Sequence, residues 1–264
     1  MQIATIDGGN AFDFGKTSEN YAKYRDIYPE SLYEKLVWFG IGKPGQHILD
    51  LGSGTAVLPR HMAHTGAQFA ATDLSENQLR YGAQLVKEKG MENIQCKVCS
   101  AEDTGFADSR FDAVTAVQCF HYFNAEKAAA EIVRVLKPGG LFGKIFMDWL
   151  PREDAVIAEM ERLVLRYNPQ WSGAGFDKFR YRYPAWAEGR FQIDTVHSYN
   201  VTLPFTKAAW LGRVLSCRGV GASLSPAQTA AFAEDYRALL EPYSEPLLLR
   251  HQIHIELYRS EKKI

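Results

Sequence analysis

The chain has 264 residues, of which 46% are hydrophobic and 23% are charged, and its formal net charge at pH 7 is −1. This balance is ordinary for a soluble globular protein, and it provides no basic surface of the kind that binds nucleic acid. No run approaches the roughly 18 apolar residues of a membrane span, no secretory signal is visible, and four cysteines are too few for a disulfide framework at this length. We therefore expect a cytoplasmic protein without a membrane-spanning segment or a nucleic-acid partner.

The N-terminal forty residues contain an arginine–tyrosine pair ahead of the first predicted strand. Residues 1–16 are polar and glycine-rich, and a helical pattern begins after Pro29. Tyr21 and Arg25 lie between these segments. They are explained equally by a packed amphipathic segment and by a pair of side chains that covers the carboxylate end of a cofactor.

The stretch from His47 to Leu58, H-I-L-D-L-G-S-G-T-A-V-L, organises the rest of the chain. An apolar run carries Asp50, turns at Gly52 and Gly54, and passes into a helical pattern. This pattern predicts a buried strand, a tight turn and the start of a helix. Glycine permits positive φ in such a turn, and the N–H groups of the helix start face any ligand there. The stretch is therefore typical of a nucleotide-type ligand site.

Two ligand classes compete for this site. Dinucleotide binding requires a small third residue in G-x-G-x-x-G/A, whereas the third position here is Val57. The D-x-G-x-G spacing, with Asp50 inside the strand, is instead similar to the first motif of class I S-adenosylmethionine (SAM) methyltransferases. Ala56 stands where that family usually has a third glycine. A single Gly-x-Gly is a weak signal, so the rest of the chain must decide.

Strands and helices alternate after this stretch. The predicted elements are a helix over 58–64, a strand over 68–72 that ends on Asp73, a helix over 76–89, a strand over 93–98, a strand over 110–117, a helix over 125–136 that stops at a turn over 137–140, and a strand over 141–147. Five strands alternating with helices predict a doubly wound parallel sheet, which binds ligands beyond the carboxyl ends of its strands. The Gly52 turn, Asp73, residues 101–103 and residues 118–121 all follow strand ends, so four loops should line one pocket.

Asp73 lies 73 − 52 = 21 residues after Gly52, near the spacing of about 20 expected for an acid that binds a ribose hydroxyl. A carboxylate accepts two hydrogen bonds and suits a vicinal diol. Asp73 could also be the N-cap of the helix that begins near Ser75. The two roles are compatible.

Four segments together resemble consecutive motifs of class I SAM methyltransferases, in the expected order and spacing. They are I-L-D-L-G-S-G-T, A-T-D-L-S, S-A-E-D-T-G-F-A-D-S-R-F-D and R-V-L-K-P-G-G-L. The most similar branch holds the ubiquinone/menaquinone-biosynthesis and trans-aconitate-type small-molecule methyltransferases. The opening D-F-G-K-T-S-E-N-Y-A-K-Y-R-D-I-Y-P also resembles the segment before the first motif there. The resemblance covers about residues 12–150.

The resemblance implies a role for each predicted cofactor residue. Gly52 and Gly54 would approach the methionine moiety of SAM, and Asp50 would orient its amino group. Asp73 would hold the ribose hydroxyls, with Leu74 beside the adenine. The full predicted cofactor set is Tyr21, Arg25, Asp50, Gly52, Ser53, Gly54, Asp73, Leu74, Ala101, Glu102 and Gln118.

The third and fourth loops supply the adenine edge and the acceptor side in this resemblance. Ala101 and Glu102 would contact the adenine edge, and Ser100 stands where many relatives have an aspartate. Gln118 takes a position that often touches the cofactor. His121 takes a position that is often a histidine near the substrate, which makes it the candidate general base if the acceptor is a hydroxyl or an acidic carbon.

The last third of the chain is less conventional. Its predicted elements are a helix over 152–166, a long aromatic-rich stretch over 167–189, a strand over 191–203, helices over 207–216 and 226–240, and a strand over 248–258. In the methyltransferase sheet these strands would be the sixth and an antiparallel seventh. We therefore predict a single α/β domain over 1–264 with a seven-stranded Rossmann-like sheet. Its parts would be an N-terminal cap segment over 1–40, a SAM-binding core over 41–150, and substrate-cap insertions over 150–190 and 204–246. Ordinary packing would also explain the aromatic stretch.

Metal chemistry is not indicated. Cys96 and Cys99 form C-x-x-C on a short strand, where residues three apart point to opposite faces, and no second pair is present. His61 and His64 share a helix face without a third ligand nearby in the sequence. We therefore expect no metal.

The sequence thus predicts a SAM-dependent methyltransferase that acts on a small molecule and releases S-adenosylhomocysteine (SAH). A SAM-binding module without catalysis is an alternative, and a nicotinamide-dependent oxidoreductase is disfavoured by Val57. A monomer and a homodimer are both compatible with the sequence. The acceptor and the methylated atom are left open.

Overall fold

The protein is represented by a computed structural model, which describes residues 1–261. The strands are β1 His47–Leu51, β2 Gln68–Asp73, β3 Ile94–Val98, β4 Phe111–Val117, β5 Leu136–Trp149, β6 Phe191–Phe205 and β7 Leu247–Ser260. The α-helices are α1 Ser18–Tyr24, α2 Glu30–Trp38, α3 Val57–Met62, α4 Glu76–Glu88, α5 Ala125–Val135, α6 Ala155–Tyr167, α7 Lys207–Leu215 and α8 Pro226–Leu240. Short 3₁₀ turns join several of them.

The seven strands form one sheet in the order β3-β2-β1-β4-β5-β7-β6. The pairs β1–β2, β1–β4, β2–β3 and β4–β5 are parallel. The strand order reverses between β1 and β4, which is the switch point where such sheets bind ligands. The predicted α/β fold, with a doubly wound sheet and an antiparallel last strand, is confirmed.

The strand β5 begins earlier than predicted. The turn expected over 137–140 lies inside β5, which starts at Leu136 directly after α5. Phe111 of β4 pairs with Leu136, and Ala113 pairs with Leu141, so the register shifts between them. Five residues of β5 therefore advance opposite two of β4, and Gly139 takes a φ of +71° there. The proline–glycine signal marks an irregularity within a strand, because pairing resumes on both sides.

The chain forms two compact units. The sheet unit comprises residues 28–146, 180–198 and the chain from Ile253 onward, and the helical unit comprises residues 1–27, 147–179 and 199–252. The sheet unit therefore holds β1 to β4 and α2 to α5, whereas the helical unit holds α1, α6, α7 and α8.

Each unit has its own apolar core. The core of the sheet unit includes Leu49, Val114, Ile132, Phe142 and Tyr258, all of them buried. The core of the helical unit includes Ile157, Met160, Trp210, Phe232 and Tyr236, also buried. Such clusters supply the main favourable free energy of folding. Within residues 1–261, no helix is both long enough and apolar enough to cross a membrane.

Candidate functional site

The turn after β1 is held in place by the loop after β4. Gly52 has a φ of +59°. A Cβ atom there would lie 2.8 Å from Cβ and Sγ of Cys119 and 3.3 Å from the ring of Phe123. The sequence attributes the glycine to the approach of a ligand. The structure adds a packing reason, because the left-handed φ and the contact with Cys119 both exclude a side chain.

The next turn of backbone is packed against α4. Ala56, the N-cap of α3, has a φ of +57°, the conformation that a third glycine would adopt more easily. A Cβ atom on Gly82 of α4 would lie 2.8 Å from the carbonyl carbon of Thr55. The helix thus lies directly against the turn, which fixes the backbone amides of the glycine segment.

Asp73, at the end of β2, connects the first two loops. Its Oδ2 accepts a hydrogen bond from the Gly54 amide at 2.9 Å, and its Oδ1 accepts one from the Ser75 amide at 2.7 Å. Burial raises the pKa of Asp73, while these amide hydrogen bonds lower it. The N-cap of α4 is Ser75, whose Oγ accepts from the Gln78 amide. The interpretation of Asp73 as the N-cap is therefore wrong, because Ser75 takes that position and the Asp73 carboxylate bridges the Gly54 and Ser75 amides.

Asp50 lies beneath the same turn, inside β1. It is only 2% exposed, and its carboxylate accepts hydrogen bonds from Oγ of Ser53 at 2.5 Å and from Oγ1 of Thr115 at 2.7 Å. Burial raises the pKa of Asp50 to about 6, despite the two hydroxyl donors. Within residues 1–261, no lysine, arginine or histidine forms an ion pair with it. At neutral pH the carboxylate is therefore a buried negative charge without a cationic partner.

The loop after β2 carries an exposed apolar side chain, and the loop after β3 carries an acid that is held by hydrogen bonds. Leu74 is 63% exposed, which is unusual for leucine, whereas Ala101 is buried. The carboxylate of Glu102 accepts hydrogen bonds from the Ser100 hydroxyl and from the Asn124 amide, the latter at 2.8 Å. Glu102 thus joins the loop after β3 to the start of α5. The Ser100 hydroxyl thus supports this glutamate.

The loop after β4 contains a strained residue and the predicted base. Gln118 has a φ of +61°, and its amide donates to the Ile145 carbonyl at 2.9 Å. His121 is exposed on a 3₁₀ turn, with its ring centroid 5.4 Å from that of Phe146. Phe146 stacks on His254, whose pKa burial lowers to about 4. His254 is therefore neutral at physiological pH. Of the two histidines that contact Phe146, His121 is the exposed one.

The remaining predicted cofactor residues, Tyr21 and Arg25, belong to the helical unit. The Arg25 guanidinium lies 4.9 Å from the centre of the Tyr21 ring, a cation–π contact. Their role toward a cofactor stays a prediction. All the other predicted residues of the cofactor set lie in the sheet unit.

Three residues of this site were missed in the sequence. Thr115 is a hydroxyl in an otherwise apolar strand, Gly82 is an isolated glycine in a predicted helix, and Cys119 follows the fourth strand directly. The first two are signals that sequence rules recognise as unusual. Within residues 1–261, no group of three or more His, Cys, Asp or Glu side chains is placed to hold a metal ion.

Comparisons with known proteins support the predicted resemblance. Residues 49–143 match the family model described as a methyltransferase domain. The chain is 34% identical over 149 residues to an uncharacterized methyltransferase-like protein of Schizosaccharomyces pombe, covering 51% of this chain and 55% of that protein. It is 30% identical over 155 residues to the ubiquinone/menaquinone biosynthesis C-methyltransferase UbiE of Cupriavidus necator, covering 54% of this chain and 62% of that protein.

A solved structure, the YcgJ protein of Bacillus subtilis, shares the fold. Its TM-score is 0.58 at 17% identity, with 89% of this chain and all of that chain covered. The chain spans little more than half the length of the first curated relatives it matches. The predicted resemblance to class I SAM methyltransferases of the UbiE-like branch is confirmed.

Asp50 generates a prediction about pH. Because burial raises its pKa from 3.8 to about 6, the folded protein binds this proton more tightly than the unfolded chain. Stability is then lost as pH rises from about 4 to above 6, by about 3 kcal/mol. The Asp50→Asn variant cannot ionise at this position, so it lacks this pH dependence. The unfolding free energy of the wild-type protein minus that of the variant, each measured by urea denaturation, should therefore fall by about this amount between pH 4 and pH 7.

Asp112→Asn is the matched control. Asp112 is partly buried, which raises its pKa, but a hydrogen bond from Lys137 and its charge lower the pKa overall. The unfolding free energy of the wild-type protein minus that of Asp112→Asn should therefore increase as pH rises. If the difference in unfolding free energy between the wild-type protein and Asp50→Asn did not change with pH, burial would not raise the pKa of Asp50.

Gln118 generates a prediction about backbone strain. Both Gln118→Gly and Gln118→Ala remove the side chain, but only glycine relieves the positive φ, which costs other residues roughly 1 kcal/mol or more. We expect the glycine variant to be about 1 kcal/mol more stable than the alanine variant in urea unfolding. At the exposed Gln95 of β3, the same pair should show the reverse order, because glycine weakens an ordinary strand. Equal stabilities at both positions would contradict the assigned conformation.

Proposed function

We propose that this protein is a SAM-dependent methyltransferase that transfers the methyl group to a small-molecule acceptor and releases SAH. The observation that carries the proposal is the hydrogen bond of 2.9 Å between the Gly54 amide and the Asp73 carboxylate. It joins the glycine turn to the acid of the second strand, next to the point where the strand order reverses. The methyltransferase-domain match over residues 49–143 supports the same assignment.

The residues present fit SAM. Asp73 uses each carboxylate oxygen for one backbone amide, and each oxygen has a second lone pair that can accept from a ribose hydroxyl. Asp50 supplies a negative charge without a protein counter-ion, which suits the cationic amino group of the methionine moiety. The exposed Leu74 offers an apolar surface to a flat base. Replacing one of these side chains by a residue of different charge or size would remove the role that this side chain has in binding SAM.

The protein's contribution to the reaction would be mainly one of placement. Bound SAM supplies an electrophilic methyl group, and the chain must hold the acceptor in line with it and away from water. The buried Asp50 and the hydrogen-bonded Asp73 are fixed before a ligand arrives, so little reorganisation is needed on binding. His121 would take a proton from a hydroxyl or an acidic carbon, and a carboxylate acceptor would need no base.

The acceptor is proposed as a small molecule because the similar UbiE protein is named for quinone biosynthesis. The N-terminal segment over 1–40 and the insertions over 150–190 and 204–246 are proposed as the cap of the acceptor pocket. Tyr21 and Arg25 would cover the carboxylate end of SAM. We expect a cytoplasmic monomer or homodimer without a nucleic-acid partner.

Two other functions are compatible with parts of this site. A SAM-binding module without catalysis would bind SAM through the same loops but would not transfer the methyl group. A nicotinamide-dependent oxidoreductase is less well supported, because Val57, the first residue of α3, is bulky and buried at the position where dinucleotide-binding proteins need a small residue. Formation of SAH from SAM, when a small-molecule extract is added, separates the enzyme from the module.

The choice of cofactor is directly testable. SAM and SAH should bind with micromolar affinity and raise the thermal unfolding midpoint, because a ligand that binds only the folded state stabilises it. NAD should leave the midpoint unchanged at the same concentration. A protein that is stabilised by NAD and indifferent to SAM would exclude the methyltransferase assignment.

Asp73 is the residue whose replacement should affect SAM binding most clearly. Asp73→Asn keeps an acceptor oxygen for one of the two backbone amides, places an NH2 donor opposite the other, and removes the charge that strengthens the bonds to the ribose. We expect SAM affinity, measured by calorimetry, to fall at least about tenfold, or roughly 1.4 kcal/mol. Glu76→Gln, which removes an exposed charge from the first turn of the same helix, is the control and should bind as wild type. Equal affinities in the two folded variants would leave Asp73 with a structural role alone.

A further inference from the structure

Arg213 is a buried arginine on α7, in the helical unit. Only 4% of its surface is exposed. Within residues 1–261, it makes no ion pair with any carboxylate. Arginine is almost never this buried unless it is paired, since water solvates its charge far better than an apolar interior does.

The groups that do contact Arg213 are neutral. Its guanidinium carbon lies 5.3 Å from the centre of a Trp149 ring, and its Nη1 donates weakly to Sγ of Cys217 at 3.6 Å. Its Nε is buried and has no hydrogen-bond partner among the described residues. Indole and sulfur orient the guanidinium, but they do not neutralise it.

Other buried arginines of this chain are bonded to oxygen. Arg218, also in the helical unit, forms an ion pair of 3.0 Å with the buried Asp7. Arg60, in the sheet unit, donates through Nε to the Thr55 carbonyl at 3.2 Å. Arg213 departs from this pattern, although all three are largely withdrawn from solvent.

The acid next to Trp149 in the sequence does not serve as the counter-ion. Burial raises the pKa of Asp148 to about 7. An adjacent guanidinium would lower the pKa of the carboxyl. Within residues 1–261, neither Asp148 nor Glu161, a buried acid that accepts a hydrogen bond from the Trp149 indole, forms an ion pair with Arg213.

We propose that Arg213 is the anion-binding residue of a second ligand site, in the helical unit, which takes an organic acid with one carboxylate. The Nε and Nη2 groups lie on one edge of the guanidinium and match the two oxygens of a carboxylate. The Nη1 group stays directed at Cys217, and the indole of Trp149 backs the planar cation. A carboxylate is favoured over a phosphate because a single negative charge balances the single guanidinium.

The inference concerns the helical unit alone, and it does not rest on the proposed methyl transfer. A ligand carboxylate would be distinguished from its neutral amide, because the amide leaves the buried charge of Arg213 unbalanced.

The first test uses benzoate, phenylacetate and indole-3-acetate as probes, each compared with its amide at equal ionic strength. At least one acid should raise the thermal unfolding midpoint of the wild-type protein, and its amide should not. Arg213→Met should abolish that rise. In the absence of any acid, Arg213→Met should unfold at the wild-type midpoint or above it, because an unpaired buried charge is replaced by an apolar side chain.

Arg218→Met is the matched control. It leaves Asp7 without its ion-pair partner, so its midpoint should fall while the rise caused by the acid is retained. Arg213→Lys keeps the charge but not the forked donor geometry, and it should bind the acid at least tenfold more weakly than wild type. This variant also provides the measurement if Arg213→Met does not fold.

Three results would overturn the inference. They are equal responses to acid and amide, no response to any of the three acids, and an acid response retained when Arg213 is replaced. SAH is added separately to the wild-type protein and to both Arg213 variants. An SAH response without an acid response rejects this inference alone, and an acid response without an SAH response rejects the proposed function alone.

Discussion

The carboxylate of Asp73 is the constraint on which the candidate site depends. It accepts the amide of Gly54 from the first loop and the amide of Ser75 from the second. Each bond to a charged acceptor contributes about 1.5–3 kcal/mol, so two loops that belong to different strands are fixed relative to each other. Asp50 lies on the neighbouring strand, and the charge of Asp73 adds to the burial that raises its pKa. The two acids therefore repel each other within one rigid frame.

The sequence predicts this frame well because its causes are local. The acid inside β1, the glycines after it and the acid at the end of β2 are separated by short, regular stretches of chain, and parallel strands bring their ends to one edge. The first five strands and the order of their loops followed from the alternation of strands and helices, and the family resemblance added the sixth strand and the antiparallel seventh. The local errors in this part of the chain were the ends of some elements and the N-cap of α4, which is Ser75 and not Asp73.

Features that depend on distant segments could not be predicted. The packing of Gly52 against Cys119 joins residues 67 positions apart (119 − 52 = 67), and the left-handed backbone of Gln118 has no signature in its residue type. The bulge that extends β5 to Leu136 depends on its pairing with β4. These features depend on contacts between different strands or loops, and the periodicity of hydrophobic residues along the sequence carries no information about such contacts.

Within residues 1–261, the buried charges of Asp50 and Arg213 form no ion pair with a protein side chain, whereas other buried charges are compensated. Glu131 is hydrogen-bonded to Arg134, and Lys144 to Glu256. Asp50 is surrounded by hydroxyl groups and Arg213 by an indole and a thiol, neutral partners that fix orientation without cancelling charge. An uncompensated buried charge destabilises the folded state by itself, and a ligand of opposite charge removes that penalty on binding. The opposite signs of Asp50 and Arg213 would then favour different ligands, a cationic group in the sheet unit and an anionic group in the helical unit.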